Sequence, residues 1–328
     1  MSLTAALFHA HMVRLSHSTR PILIGPWRSE VGFEVLYWLP FVRWFKSVTG
    51  VKADRLFAVT RGGAGVLYPH MQHLDLYQMR SVETVRLENA YDRQLSGIQK
   101  QLWMSEWDTD VCKEAARLML GKGEKYHVLH PSLMYRALAP WWDEQRGMTY
   151  LDSMTEFQPL IRPTWDGLEL PSTFVAMKWY TRSTFPNQED TIRLVSEITG
   201  TVAKQFPVVL LNTGHGGDEH TDLNVTGPNI HPLPQVPAHQ SIHLQAAVMA
   251  RATAFVGTYG GVAQMALRMG IPSASFYREW GGTALAHLTL SHWLGMRTHT
   301  NFQVGNISDV QLWKRLVSIP QKEAVSAS

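Results

Sequence analysis

The stretch "AFVGTYGGVAQMALRMGIPSASFY", residues 254–277, constrains the fold more than any other part of the chain. "AFVGTY" is short, apolar and rich in β-branched and aromatic residues, the composition of a strand covered on both faces. Gly260 and Gly261 allow a sharp turn into "VAQMALRM", whose apolar residues recur at helical spacing. Gly270 before Ile-Pro ends that helix and opens a second strand. The turn also leaves the first N–H groups of the helix bare at the positive end of its dipole, where an anion such as a phosphate is favoured.

The same alternation extends in both directions. "PILIG" (21–25), "RLFAVT" (55–60) and "YHVLH" (126–130) read as strands of a first half. "VGFEVLYWLPFVRWF" reads as an apolar, aromatic helix interrupted at Pro40, and 84–104 and 107–120 read as further helices. The proline- and tryptophan-bearing stretch 131–170 lacks periodicity and is expected to be loop and linker. In the second half "FVAMKWY" (174–180) and "PVVLLNTG" (207–214) are strands. "QEDTIRLVSEITGTVAKQ" (188–205) and "SIHLQAAVMARA" (241–252) are helices, and 215–240 is a polar connection. More helix is expected from 278 to the C-terminus, with "QKEAVSAS" as a frayed tail. Strands alternating with helices imply parallel sheets covered on both faces. The expected division is 1–165 and 166–328.

Composition narrows the function. With 45% hydrophobic and 17% charged residues the 328-residue chain is globular. Its net charge of +3 comes without a dense Lys/Arg block, which favours an anionic ligand and gives no support for a nucleic-acid groove, so no nucleic-acid partner is expected. Cys112 is the sole cysteine, so no intrachain disulfide forms. The first twenty residues do not read as a signal peptide, and no uncharged apolar run reaches the ~18–20 residues of a membrane span. A cytoplasmic protein is the expectation.

The sequence resembles the GT-B superfamily of glycosyltransferases. "FVGTYGGVAQMALRMGIPSASFY" is similar to the donor-side strand, Gly-rich turn and helix of heptosyltransferase-like and sialyltransferase-like members. "VVLLNTG" is similar to the preceding donor-domain strand, and "GPWRSEVGFEVLYWLPFVRW" to the first strand-to-helix turn of the acceptor domain. The resemblance implies an α/β fold of two Rossmann-like domains facing across a cleft. The N-terminal one would be acceptor-side, and the C-terminal one would hold most of a nucleotide-sugar.

Residues for the chemistry follow from loops after strands, where parallel sheets bind ligands. Thr258, Gly260 and Gly261 are expected to donate to phosphate oxygens. Lys178 and Arg182, in "MKWYTRSTF", would neutralise a leaving phosphate without metal. Asn212, Thr213 and Gly214 end the next strand and could hydrogen-bond nucleotide or sugar. His243 and His215 are further donor-side candidates, and Glu279 a ribose-holding carboxylate. For the acceptor, Glu30 is the expected base, with Glu34 one turn later and Arg28 supporting, Arg28 being the nearest candidate partner of Glu34. "RGGAG" (61–65) reads as a plain turn. "DTD" (108–110) reads as an N-cap with first-turn acids rather than a metal motif. "HGGDEH" (215–220) lacks the spacing of a metal site, so no metal and no cofactor besides the nucleotide-sugar is expected. Helix 33–45 reads as core, a peripheral membrane contact being the second reading.

The leading expectation is a metal-independent glycosyltransferase moving a sugar from a nucleotide-sugar to a saccharide or glycolipid. A nucleotide-sugar epimerase or hydrolase on the same plan, and a non-catalytic nucleotide- or sugar-binding protein, stay open.

Overall fold

Short apolar runs become buried parallel strands, and the periodic segments between them become the helices that cover the sheets. The computed structural model describes residues 8, 12–97, 100–215, 220–280 and 284–316. Residues 216–219 of "HGGDEH" and the tail "QKEAVSAS" lie outside the described residues. The chain falls into two units, one formed by Met1–Trp165 with Val236–Ala247 and the other by Asp166–Gln235 with Val248–Ser328.

Unit 1 is built on β1 (Ile22–Ile24), β2 (Leu56–Thr60), β3 (Gln72–Asp75) and β4 (His127–Leu129), paired in parallel in the order β3-β2-β1-β4. Order reverses between β1 and β4, so the loops leaving those two strands flank the topological switch point, where open α/β sheets bind ligands. A helical run over 31–49 (α1) follows β1. It does not break at Pro40. A π-helical turn over Glu34–Trp38, in which Leu39 N–H donates to the Glu34 carbonyl, widens the coil just ahead of the proline, and α-helix resumes over Leu39–Thr49. Tyr37, Trp38, Phe41 and Phe45 of this helix are fully buried, so these aromatics serve the core and not a membrane.

Helices α2 (Val82–Ser96) and α3 (Glu106–Met119) cover one face of the sheet. Val85, Val111, Cys112 and Ala115 pack there on Leu23 and Val59. α2 ends at Ser96 with Gly97 as its C-cap, eight residues before the expected end at 104. Stretch 131–170 is not all loop, because Pro131 starts α4 (Pro131–Trp142) from the first helical turn, where its missing N–H is harmless.

Unit 2 carries β5 (Val175–Lys178), β6 (Val208–Leu210), β7 (Ile230–Pro232), β8 (Ala254–Thr258), β9 (Ser273–Tyr277) and β10 (Phe302–Asn306) in one parallel sheet. The order is β7-β6-β5-β8-β9-β10, which in this unit's own count is the doubly wound 3-2-1-4-5-6. β7 lies inside the segment read as a polar connection, and β10 where further helix was expected. α5 (Glu189–Ala203), α7 (Gly261–Arg268) and α8 (Ala284–Thr298) complete the covering layers, while α6 (Ser241–Met249) belongs to unit 1 as far as Ala247. Met177, Trp179, Ile198, Val256 and Phe276 centre one core cluster. The switch point falls between β5 and β8. Among the described residues, no helix is long and apolar enough to cross a membrane.

Candidate functional site

The switch point of unit 2 collects several of the expected residues. β8 ends at Thr258, and α7 starts two residues on at Gly261. Gly260 is extended (φ 165°), so its conformation suits any residue, but a Cβ there would run into Tyr180 Oη and lie 3.3 Å from Arg182 Nη1. Glycine is therefore required by close approach. The Tyr180 hydroxyl lies near the Gly261 N–H and the Arg182 side chain but forms no hydrogen bond of normal geometry, so it crowds the amides beyond Gly260 without satisfying them. Burial raises the tyrosine's pKa, and Arg182 and that N–H act against the rise. Thr258 is also committed, its Oγ1 accepting from Tyr180 N–H at 3.1 Å and donating to the Tyr180 carbonyl at 3.2 Å. Arg182 is half-buried and pairs with no acid among the described residues.

Lys178 is engaged internally. Its ammonium is buried, donating to Asp222 Oδ2 at 2.6 Å and to the Leu211 carbonyl at 3.1 Å. Burial lowers its pKa, with Asp222 opposing. Its charge is thus already compensated. Asn212 braces the same region through Nδ2, which donates to the Leu223 carbonyl at 3.2 Å and Asn224 Oδ1 at 2.8 Å. Thr213 is fully buried, and Gly214 takes a left-handed turn (φ 84°) against Gln235. Glu279 is exposed after β9, its backbone N–H donating to the Thr184 carbonyl at 3.0 Å. That strand does not border the switch point. His243, expected on the donor side, belongs to unit 1, where its Nε2 lies 3.0 Å from the Thr164 carbonyl and its ring meets Trp165.

The switch point of unit 1 holds a dense charged network. The loop after β1 carries Arg28, and its guanidinium is fully buried. Nε and Nη2 reach the two Asp108 oxygens at 3.0 and 3.3 Å, Nη2 also meets Asp92 at 2.7 Å, and Nη1 donates to Asn89 Oδ1 at 2.9 Å. Burial works against this charge, but Asp108 and Asp92 outweigh it and raise the pKa. Arg28 thus partners α2 and α3, not Glu34 as the sequence suggested. Asp108 is not an N-cap either. Ser105 caps α3, and Asp108 closes the capping box from the third position while accepting from Arg28. His130, the N-cap of α4, brings Nε2 to 3.3 Å from Asp108.

Glu30 and Glu34 differ sharply. The Glu30 side chain is 39% exposed and accepts from Lys100 Nζ at 2.5 Å and from Ser29 Oγ at 2.9 Å. Burial opposes its ionisation, but Lys100 prevails and holds the carboxyl well below the usual carboxylate range. Glu34 is only 1% exposed and accepts from Tyr68 Oη at 2.6 Å. Burial pushes its pKa up to about 8, against the pull of Tyr68 and Arg61. At "RGGAG", Gly63 (φ 87°) donates its N–H to Asp75 Oδ2 at 2.6 Å, so the turn's amides serve an internal carboxylate. Among the described residues, no group of three or more His, Cys, Asp or Glu is placed to hold a metal.

Sequence reasoning did not single out Lys100, Asp92, His130, Tyr68, Tyr180 or Asp222. The "SEWD" capping box was the one local signal, since it places Asp108 at the mouth of a buried helix. The others meet their partners across long sequence separations.

No family model matches the chain, and neither does any curated protein. Among solved structures it is similar to the E. coli heptosyltransferase WaaC with ADP, at 12% identity over 91% of this chain and 100% of that one, with a TM-score of 0.47. It is similar to the glycosyl transferase family 9 protein from Veillonella parvula, at 11% identity over 92% and 97%, with a TM-score of 0.46. It is also similar to the iron-containing dodecameric glycosyltransferase TibC from enterotoxigenic E. coli, at 12% identity over 78% of this chain, with a TM-score of 0.42. The chain spans 58% of TibC's length. At such scores neither activity nor ligand passes from these proteins to this one.

Proposed function

We propose that the chain is a glycosyltransferase that takes a sugar from a nucleotide-sugar, unit 2 holding the nucleotide and unit 1 addressing a saccharide or glycolipid acceptor in the cytoplasm. One observation carries the reading. At the switch point of a 3-2-1-4-5-6 sheet, Arg182 approaches the N-terminal end of α7 with no acid beside it among the described residues. A cation and a helix dipole converging at that position favour a diphosphate. In this reading Arg182 neutralises the departing nucleotide and Tyr180 Oη yields the Gly261 amide to a phosphate oxygen, without a metal. Glu30, partly exposed and kept ionised by Lys100, accepts the hydrogen bond of the acceptor hydroxyl. Glu34 has the basicity suited to proton abstraction near neutral pH, but burial behind Tyr68 keeps it from substrate.

Thermal-shift titration with UDP, GDP, CDP, CMP and ADP tests the site, because a ligand of the native state raises its melting temperature. Stabilisation by at least one nucleotide, lost in Arg182→Gln, is expected. Acceptor-dependent release of nucleotide from the matching nucleotide-sugar then tests turnover. Failure of every nucleotide to stabilise the protein overturns the reading. Binding without turnover makes it a nucleotide-binding protein instead.

A further inference from the structure

Unit 1 has a groove of about 570 Å³ on the sheet edge opposite its switch point. Gly50 and Val51, which line it, precede β2, and Tyr68–Met71 precede β3. The groove therefore lies at the N-terminal ends of parallel strands, whereas Glu30 follows the C-terminal end of β1. Its volume matches a single small ligand. Pro69, Met71, Pro159 and Ile161 give it accessible apolar walls, and Arg43, Lys46 and His70 give it basic groups.

Arg43 is the built part of this site. It is only 8% exposed. Nη1 donates to the Gln158 carbonyl at 2.7 Å and Nη2 lies 3.5 Å from the Pro159 carbonyl, so the guanidinium is fixed against the 158–159 backbone. Its buried Nε has no hydrogen-bond partner. A buried guanidinium N–H without an acceptor is costly. Lys46, one turn along α1, forms no ion pair among the described residues. Glu156 is the acid lining the groove, and its carboxylate is engaged by the Gln158 side-chain amide. Glu156 also acts on the Arg43 charge, so two cations against one carboxylate leave the groove net basic beside apolar walls.

We propose that this groove binds a small soluble organic anion, a single phosphate, sulfonate or carboxylate group on an apolar body. The anionic group is held by Arg43 and Lys46 and the body by the Pro69, Met71, Pro159 and Ile161 surface. The site is independent of the nucleotide reading of unit 2.

Isothermal titration with monomeric octyl phosphate, and with neutral octyl glucoside as the uncharged control, tests it. Octyl phosphate is expected to bind and octyl glucoside to bind at least tenfold more weakly, as loss of a charged hydrogen bond of about 1.5–3 kcal/mol requires. Lys46→Gln, a surface change, should weaken octyl phosphate by about tenfold. Ser47→Trp, which fills the rim one turn beyond Arg43, should abolish binding. Absence of octyl phosphate binding, equal binding of both probes, or unchanged binding in Lys46→Gln would overturn the proposal. Stabilisation by nucleotides should be the same in both variants, so either assignment can fail alone.

Discussion

Replacing Glu34 with Gln tests how the unit 1 core handles a buried acid. The Glu34 carboxyl sits at 1% exposure, accepts from Tyr68 Oη at 2.6 Å, and has its pKa pushed up from the ordinary 4.5 to about 8 by burial. The folded chain therefore keeps a proton that the unfolded chain gives up from pH 4.5 upward. Stability contributed by the neutral acid is fully present below pH 4.5 and is lost as pH rises to about 8. At ~1.4 kcal/mol per pH step, the full span removes about 5 kcal/mol. Glutamine keeps the oxygen that Tyr68 bonds and cannot ionise. Urea unfolding of both proteins from pH 5 to 9 should find them within about 1 kcal/mol at the acid end, the usual span for a near-isosteric change that keeps its hydrogen bond. Glu34→Gln should be the more stable protein by several kcal/mol above pH 8. Taking the difference cancels the titration of all other groups. A gap that is the same at pH 5 and pH 9 would refute the reasoning, as would one that widens toward acid.

Arg28→Met leaves Asp92 and Asp108 buried without their cation, and should lose about 3–5 kcal/mol in urea unfolding. Gly260→Ala forces a methyl onto Tyr180 Oη and should lower the melting temperature, with partial recovery in the Gly260→Ala, Tyr180→Phe double variant; strict additivity would show that the two do not touch. Arg182→Gln should weaken nucleotide binding by about tenfold or more at an unchanged melting temperature of the free protein, since a charged hydrogen bond contributes ~1.5–3 kcal/mol. Lys178→Met should act in the opposite sense, lowering stability through unpaired Asp222 while sparing nucleotide affinity, which titration calorimetry would read directly.

Elements with strong local signals were legible from residues alone. β8, the glycine pair and α7 follow from "AFVGTYGGVAQMALRM", and α3 from the apolar stripe of 107–120, although its cap is Ser105 and not the expected "DTD". β7 was not, because "IHP" is three residues long, partly exposed and proline-bearing, and it becomes a strand only by pairing with β6. β10 was hidden by the glycine and asparagine in "FQVGN", residues that disfavour strands until a neighbour supplies the hydrogen bonds. Pro40 misled in the other direction, since nothing local announces a π turn. Within the candidate sites, which strand ends carry polar residues could be read off, but not which of those residues already have partners. Lys178 meets Asp222 and Arg28 meets Asp92 and Asp108 only after the chain has folded, and each pairing turns an apparent ligand group into a brace.

Val236–Ala247 sits with unit 1 although the sequence on both sides of it belongs to unit 2, so the backbone passes between the units three times. A gene cut once after Trp165 would therefore encode two defective pieces. The first would lack Ile242, whose N–H closes onto the Gly62 carbonyl at 2.6 Å, and His243, which reaches the Thr164 carbonyl. Dissecting this protein requires moving that short insert by splicing it onto the N-terminal fragment and bridging the gap it leaves behind.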